Sequence, residues 1–467
     1  MSFVGRKEES QEFDARYRST NAELVILYGR RRVGKTAFLQ RFMQGKKSFF
    51  FSATESEDNE QRERFKQKML TFGFDGEPSL LNDWGGIFRS LIKLKMTGKA
   101  LVVIDEFQNL LKGNREIASI IQKIWDEFLS KKYIMLVLCE SAANVIENEV
   151  IEDKKFFHIH SAAVVKMKEL PFKEVMKLFP KYSLSERIVV YSVLGGAPFY
   201  LKQFSPSVSL EENLKRSILS PGAILYNETE FILKQDLRET ATYNTILSAI
   251  AHGCEKMVDI SQKTKIIPTK ANVYLKNLID LGIVVKEYSI LGPAEKATGL
   301  HNGAYRIADN FFRFWYRFVY PNIDQIELGE TERLAKDISE QVKNEYASAC
   351  FVRLCIEYIR ERNAANDLPF VAKRVGRIWC KECAVDVGAT DGKTLLIGEC
   401  RWSDQPVGLE ILSAMREKVT KTRELSEKED YVLCLFSKFG FTQALIDESN
   451  VSNINLFDAV SMFDTTL

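Results

Sequence analysis

The sequence lacks any large excess of charge and any long apolar run. Its 65 lysine and arginine residues against 63 aspartate and glutamate residues leave a formal charge of +2, so the whole chain has no strong attraction for nucleic acid or a membrane surface. No apolar run approaches the roughly 20 residues of a membrane-spanning helix. The charged sequence at residues 1–7 leads us to expect no signal peptide. We therefore expect a cytoplasmic protein without a membrane partner.

Internal repeats and low-complexity tracts are also lacking. The composition, 45% hydrophobic and 27% charged residues, is that of an ordinary globular protein. A chain of 467 residues exceeds what one hydrophobic core holds, which predicts roughly three or four domains. The eight cysteines lie in apolar or strand-like contexts of a chain too large to need a disulfide framework, so we expect reduced thiols.

β-rich runs alternate with helical periodicity in the first third of the chain, which predicts an α/β domain with a parallel sheet at residues 1–168. Strands are predicted at residues 24–28, 47–52, 100–104, 133–138 and 162–167, and helices at 36–43, 60–72, 117–129 and 142–150. Most of the strand runs are almost continuously apolar, as expected for strands that are buried on both faces.

Helical periodicity dominates the middle of the chain, and a second α/β pattern closes it. Helices at 173–179, 185–194 and 210–217 predict a small helical lid at 169–238. Three helices at 243–251, 258–261 and 268–281, followed by a β pair at 283–288 and 303–307, predict a winged helix at 239–322. A helix at 331–361, strands at 374–380, 382–389, 394–400 and 430–436, and a helix at 408–426 predict an α/β domain at 323–467.

One segment has the spacing of a phosphate-binding loop, and it lies between a predicted strand and a predicted helix, as that motif requires. The loop and the start of its helix comprise Gly29, Arg30, Arg31, Arg32, Val33, Gly34, Lys35, Thr36 and Ala37. Backbone amides and the positive helix end attract the phosphates of ATP. Lys35 is expected to reach the β and γ phosphates, and Thr36 to ligate Mg²⁺. The three arginines are candidates for phosphate or subunit contact, or are solvated charges.

An acidic pair ends the strand at 100–104, where open α/β sheets place their ligands. We expect Asp105 to hold Mg²⁺ and Glu106 to act as the general base on the attacking water. Ser141 follows the next strand and is a candidate sensor of the γ phosphate. A plain helix N-cap is an equally good interpretation of Ser141.

These segments, with others, resemble the prokaryotic, chiefly archaeal, P-loop ATPases of the AAA+-related signal-transduction (STAND) class. The similarity rests on residues 3–6, 29–36, 105–108 and 195–200, and on the aromatic run at 305–318. It implies a RecA-like core, a helical lid, a winged helix, and a C-terminal domain similar to PD-(D/E)xK nucleases. It also implies that Gly5 and Arg6 lie on the adenine side and Pro198 near the nucleotide. Residues 139–141 and 156–160 depart from the family, which argues against an arginine trigger there.

The C-terminal domain contains a candidate nuclease site. Asp386 and Glu399 end neighbouring predicted strands and could share a divalent metal, and Arg401 follows in the acid-x-basic spacing. Arg401 stands where such nucleases normally use lysine, and a guanidinium cannot act as a base although it binds phosphate. Glu357 is a further candidate acid, but Val352 occupies the matching helix position. A structural or nucleic-acid-binding relic is the favoured interpretation.

Three other features have competing interpretations. Cys380 and Cys383 lack a second pair at zinc-finger spacing and are interpreted as strand cysteines. His158 and His160 are interpreted as satisfied side chains instead of metal ligands. The aromatic run at 311–320 fits a packed interdomain helix better than a platform for stacked bases.

The leading hypothesis is an ATP-driven switch in which nucleotide closes the lid and repositions the winged helix and C-terminal domain against double-stranded DNA. Lysines at 263, 265, 270 and 276, on and before the presumed recognition helix, support phosphate contact. The alternatives are a regulatory or defence scaffold that binds a protein partner, and a metal-dependent nuclease regulated by ATP. Oligomerisation is compatible with all three.

Overall fold

A computed structural model describes residues 4–141, 162–291, 303–380, 383–422, 425, 430–452 and 454–463. The predicted helix at 142–150, His158 and His160 lie outside the described residues. The chain divides into two compact units. The first contains Phe3–Leu170 and Ala197–Phe199, and the second contains Pro171–Gly196 and Tyr200–Leu467.

The first unit is built on a parallel five-stranded sheet with the strand order β2-β3-β4-β1-β5. Its strands are β1 Glu23–Tyr28, β2 Ser48–Ser52, β3 Ala100–Asp105, β4 Ile134–Glu140 and β5 Ala162–Lys166. All five predicted strands are confirmed. The order places β4 between β1 and β3, so the ends of all three meet at one edge of the sheet.

Helices cover both faces of this sheet. They are α1 Lys7–Arg18, α2 Lys35–Met43, α3 Asp58–Gly73, α4 Trp84–Arg89, α5 Phe107–Gly113 and α6 Ile117–Glu127. The side chains of β1 alternate between two hydrophobic cores. Leu24 and Ile26 belong to the core that includes residues of α3, α4 and α6, whereas Val25 and Leu27 belong to the core that includes residues of α1 and α2. Burial on both faces explains why the strand sequences are continuously apolar.

The second unit begins with eight helices, of which all but α9 and α11 were predicted from periodicity. They are α7 Phe172–Met176, α8 Leu184–Leu194, α9 Pro198–Leu201, α10 Leu210–Ser217, α11 Glu228–Asp236, α12 Thr240–Ala251, α13 Met257–Thr264 and α14 Pro268–Asp280. The first two residues of α9 belong to the first unit. An antiparallel pair, β6 Val284–Glu287 and β7 Ala304–Ile307, follows α14.

A mixed five-stranded sheet forms the rest of the second unit, in the order β12-β11-β10-β9-β8. Its strands are β8 Arg374–Trp379, β9 Ala384–Thr390, β10 Thr394–Arg401, β11 Asp430–Ser437 and β12 Asn455–Asp458. The accompanying helices are α15 Asn310–Phe314, α16 Ile323–Glu327, α17 Thr331–Gln341, α18 Ser348–Ala364, α19 Leu409–Lys421, α20 Gln443–Ser452 and α21 Ala459–Phe463. Phe172 and Ile188 share one core with Phe351 and Leu354, so the predicted boundaries at 238/239 and 322/323 lie inside this unit.

The single helix predicted at 331–361 is wrong. The π-helical segment Val342–Tyr346 separates α17 from α18. A π turn takes up an extra residue and rotates the side chains after it relative to those before it. Ile338 on α17 and Phe351 on α18 are both buried.

The interpretation of Cys380 and Cys383 as strand cysteines is also wrong. They lie in the connection between β8 and β9, where the N–H of Cys380 donates to the carbonyl of Cys383 at 2.9 Å. The two residues therefore lie just beyond the ends of β8 and β9, joined by this backbone hydrogen bond.

The aromatic run forms a packed helix. It occupies α15 and the π-helical segment Trp315–Val319, and the side chains of Phe311, Phe312 and Tyr316 are fully buried. The indole of Trp315 donates to the carbonyl of Tyr226 at 2.7 Å. Buried rings offer no accessible face to a base, so the stacking-platform interpretation is excluded.

Candidate nucleotide site

The phosphate-binding loop connects the end of β1 to the start of α2. Gly34 adopts a left-handed conformation with φ 93° immediately before Lys35, which glycine does at little cost. A Cβ atom at Gly29 would lie 2.2 Å from the carbonyl oxygen of Met167, so only glycine fits there. The chain thus turns sharply into the N-terminus of α2, and the backbone N–H groups at a helix N-terminus attract anions.

The ammonium group of Lys35 lies within this loop. Its Nζ donates to the carbonyl oxygens of Gly29 at 2.7 Å and Arg30 at 2.8 Å. Burial lowers the pKa of Lys35, while the negative charges of Glu106 and Asp105 act in the opposite direction. The site therefore holds a desolvated cation next to the backbone amides of the loop.

The hydroxyl of Thr36 meets the carboxylate of Asp105. Thr36 Oγ1 donates to Asp105 Oδ2 at 2.7 Å, and the other carboxylate oxygen accepts the backbone N–H of Glu106 at 3.0 Å. Asp105 is only 3% exposed. The fold brings the two side chains together because α2 follows β1 and Asp105 ends β3, on either side of β4.

Glu106 is fixed by two polar neighbours. Ser141 Oγ donates to Glu106 Oε1 at 3.1 Å, and the side-chain amide of Gln108 donates to Glu106 Oε2. Gln108 Oε1 also accepts the backbone N–H of Ser141 at 3.4 Å. Glu106 itself has φ 54°, a conformation that non-glycine residues adopt at some cost and that is concentrated at functional sites.

Sequence reasoning missed Gln108 and Cys139 as parts of this site. Gln108 is buried on the first turn of α5. The signal available in the sequence was an amide side chain two residues after the candidate base. Burial, followed by the charge of Asp105, raises the pKa of the Cys139 thiol well above its ordinary value. Cys139 is therefore a neutral, packed neighbour of Asp105 and no nucleophile.

The other predicted nucleotide-binding residues surround the loop. Arg6, which is 8% exposed, donates to the carbonyl of Val33 at 2.8 Å and pairs with Glu9 at 2.9 Å. Gly5 precedes it with φ 69°. These contacts tie the N-terminal segment to the backbone of the loop.

The three loop arginines have different surroundings. Arg30 forms an ion pair with Glu169 at 3.1 Å, and the guanidinium of Arg32 lies 3.9 Å from the ring centre of Phe199. The positive charge of Arg31 contributes to the lowered pKa of Lys35. Pro198 lies beside Gly34, 3.5 Å from the position a Cβ atom would take, and Ala37 is partly buried on the first turn of α2.

The candidate nuclease residues form a different arrangement. Asp386 accepts the backbone N–H of Cys400 at 3.1 Å, so it lies beside β10. Glu399 Oε2 lies 3.5 Å from Arg401 Nη1, and Oε1 forms an ion pair with Lys418 of α19, a residue that sequence reasoning missed. Both oxygens of Glu399 thus face cations of the protein itself.

Metal ligation at this second site finds no support in these contacts. Within the ranges that the structure describes, no group of three or more His, Cys, Asp or Glu side chains is arranged to hold a metal ion. Cleavage by these residues stays a prediction, and their contacts favour a structural role. The described helices also include none that is long and apolar enough to cross a membrane.

Comparisons with known proteins agree with the first site. A family described as an ATPase domain predominantly from Archaea matches residues 3–204, and a family of archaeal and bacterial proteins of unknown function matches residues 315–421. An uncharacterized protein of Methanocaldococcus jannaschii is 29% identical over 410 residues, 86% of this chain and 88% of that protein. An uncharacterized ATP-binding protein of the same organism is 49% identical over 47 residues, 10% of this chain and 80% of that one.

A solved structure shares the fold. The Walker-type ATPase of Pyrococcus abyssi superimposes with a TM-score of 0.52 at 19% identity, covering 68% of this chain and 96% of its own. This likeness shows the fold of the parallel sheet and its covering helices. The chain is an ATPase, in which residues 3–204 match an ATPase domain predominantly from Archaea and residues 315–421 match a family of unknown function.

Proposed function

We propose that this ATPase is a molecular switch that binds Mg²⁺ and ATP at the loop of residues 29–36, hydrolyses ATP with Glu106 as the base, and associates with double-stranded DNA through α13 and α14. The observation that carries the proposal is the chain of contacts from Thr36 through Asp105 to Glu106 and Ser141. It joins a phosphate-binding loop to a positioned carboxylate.

The residues at the loop fit a magnesium ion. The Thr36 hydroxyl and the Asp105 carboxylate are oxygen ligands 2.7 Å apart, and Mg²⁺ usually takes one or two protein oxygens together with phosphate oxygens and water. When bound, the ion would neutralise charge that develops on the phosphates. Lys35 would exchange its bonds to loop carbonyls for bonds to the β and γ phosphates.

In this proposal Glu106 orients and deprotonates the attacking water. Hydrogen bonds from Ser141 and Gln108 hold the two carboxylate oxygens, so the group needs little reorganisation during the reaction. Its remaining lone pairs are available to a water molecule beside the γ phosphate. Ser141 and Gln108 act in this proposal as positioning residues.

Replacement of Glu106 by glutamine tests the enzymatic half. Because Glu106→Gln keeps the shape but removes the base, we expect phosphate release to fall by about 100-fold or more, with ATP affinity retained. Glu116→Gln is the matched control, since Glu116 is exposed and makes no side-chain cap bond at the start of α6. An unchanged rate in Glu106→Gln would remove the assigned role.

The DNA half of the proposal is supported by the surface of α13 and α14. Lys263, Lys265, Lys270 and Lys276 are exposed, and no ion pair involves them within the described part of the chain. Helix α14 is the last of the three helices that precede the β6–β7 pair. In the proposed winged helix it therefore corresponds to the recognition helix. Unpaired lysines on such a helix suit phosphate contact.

A protein partner is the second candidate, and the same surface provides its supporting observation. The side chains of Val258, Ile267 and Val273 are 64%, 65% and 59% exposed. Apolar side chains that remain exposed on neighbouring helices are a feature of protein-binding surfaces. The regulatory scaffold therefore remains the alternative output of the ATPase.

A further inference from the structure

The second unit contains a cavity of about 450 Å³ that is separate from the nucleotide loop. Its wall combines the turn after α12, the β6–β7 pair, the α15 segment with the π-helical turn after it, and the junction of α17 and α18. Four arginines line it: Arg306, Arg313, Arg317 and Arg353. A volume of this size falls within the range of small-molecule sites.

Carboxylates neutralise only one of these arginines. Arg306 pairs with Glu255 at 3.1 Å and with Glu287 at 3.2 Å, and both acids line the cavity. Arg313, Arg317 and Arg353 form no ion pair with any residue that the structure describes. The remaining lining acid, Glu345, is exposed, so no carboxylate of the cavity wall pairs with these three guanidinium groups. The acid that acts on Arg353, Glu357, lies outside the wall.

The bonds of two of these arginines fix them in place without neutralising them. Arg313 donates to the Tyr346 hydroxyl at 3.0 Å and lies over its ring at 4.1 Å. Arg353 donates to the Ala308 carbonyl at 3.1 Å and to the Asn310 side chain. The groups that orient them are therefore neutral oxygens and one aromatic face.

Arg317 also lines the cavity. It differs from the other two because its side chain makes no hydrogen bond within the described residues. Burial lowers the pKa of Arg313, and the charge of Arg353 contributes in the same direction. A bound anion would favour the charged form of Arg313, which burial and the neighbouring Arg353 disfavour.

We propose that this cavity binds a small phosphate-bearing molecule through Arg313, Arg317 and Arg353. Guanidinium groups present a planar fork that matches phosphate oxygens. Two arginines held by internal hydrogen bonds and a third whose side chain makes none line the same cavity. A nucleic-acid backbone needs an outward-facing row of cations, whereas these arginines line a concave wall, so a small ligand fits better.

Calorimetric titration of the full chain with inorganic pyrophosphate tests the proposal. All variants also carry Lys35→Ala, which weakens binding at the phosphate loop. Because Arg317→Gln removes a charged donor and breaks no internal bond, we expect affinity to fall by about 10-fold or more. Arg333→Gln is the matched control, since the Arg333 side chain is 93% exposed outside the cavity wall, and it should leave affinity unchanged.

A second variant covers the case in which Arg317→Gln perturbs folding. Ala349→Glu places a carboxylate at an exposed position of the cavity wall on α18 and should weaken pyrophosphate binding by repulsion. Equal affinity in Arg317→Gln, Ala349→Glu and the control overturns the proposal, as does disappearance of all binding in Lys35→Ala alone. A DNA duplex that displaces pyrophosphate and itself needs Arg317 would assign the cavity to nucleic acid instead.

Discussion

The charge of Lys35 determines how the nucleotide site responds to pH. Burial lowers the pKa of this ammonium group from its ordinary 10.5. Phosphate oxygens stabilise the charged form, so nucleotide binding should raise that pKa again. Between the lowered pKa and 10.5 the free site is partly deprotonated and the bound site is protonated, and binding must then take up protons.

We therefore predict that proton uptake on ATP binding increases as the pH rises from neutral towards about 9.5. Titrations in buffers with different ionisation enthalpies measure the number of protons taken up. Lys35→Arg is the control, because a guanidinium remains charged throughout this range and should abolish the pH-dependent part. Uptake that is independent of pH in the unmodified chain would contradict the assignment.

Residue roles were predictable from sequence where spacing along the chain defines them. Lys35 and Thr36 follow from the glycine loop, and Asp105 and Glu106 from the end of a buried strand. Gln108, Cys139 and Lys418 were not predicted, because their roles depend on which side chain they meet: Gln108 meets Glu106 and the backbone of Ser141, 33 positions further along the chain.

At the scale of elements, helix α14 is the part of the proposal most open to direct test. Lys270 and Lys276 are exposed on it, and each phosphate contact that is lost should reduce the slope of log affinity against log salt by about 0.9. The double replacement Lys270→Gln and Lys276→Gln is expected to weaken binding of double-stranded DNA and lower that slope by about 2.

Electrophoretic mobility at several salt concentrations measures both quantities. Lys336→Gln is the control, because Lys336 is an exposed lysine of α17 outside the presumed recognition helix. If the unmodified chain shows no shift even at low salt, the DNA proposal is contradicted and the protein-partner alternative gains support.

The periodicity of the sequence predicted most of these elements. The five strands of the first unit and helices α8, α10, α12, α13 and α14 lie close to their predicted positions, whereas α9 and α11 were not predicted. The prediction of one regular helix at 331–361 missed the π-helical segment Val342–Tyr346. It did so because the sequence of this segment is compatible with a regular helix. Sequence periodicity does not reveal a π turn, because a single extra residue in one turn hardly alters the pattern of apolar residues.

At the scale of the whole molecule, a switch requires that nucleotide in the first unit changes the second. Hydrogen exchange measured by mass spectrometry with and without ATP tests this link. Protection of the loop at 29–36 is expected from binding alone, and the switch additionally predicts changed exchange in α12 to β7.

Lys35→Ala provides the control, in which ATP should leave the loop at 29–36 unprotected. A change that ATP still causes in α12 to β7 of this variant is assigned to the cavity and not to the switch. If ATP changed hydrogen exchange only in the first unit of the unmodified chain, the switch would be contradicted. The assignment of the chain as an ATPase would not be affected. The cavity arginines lie in the second unit, so the same experiment with pyrophosphate in the Lys35→Ala background reports on that site separately.

The sequence alone determined that this protein is a P-loop ATPase, because glycine spacing, an apolar strand and an adjacent acid pair are local features that specify a local structure. Only the tertiary structure decided that Glu106 is held by Ser141 and Gln108, and that Arg306, Arg313 and Arg353 line one cavity. Those groups come from separate elements. Their distances depend on how the elements pack, which no spacing along the chain records.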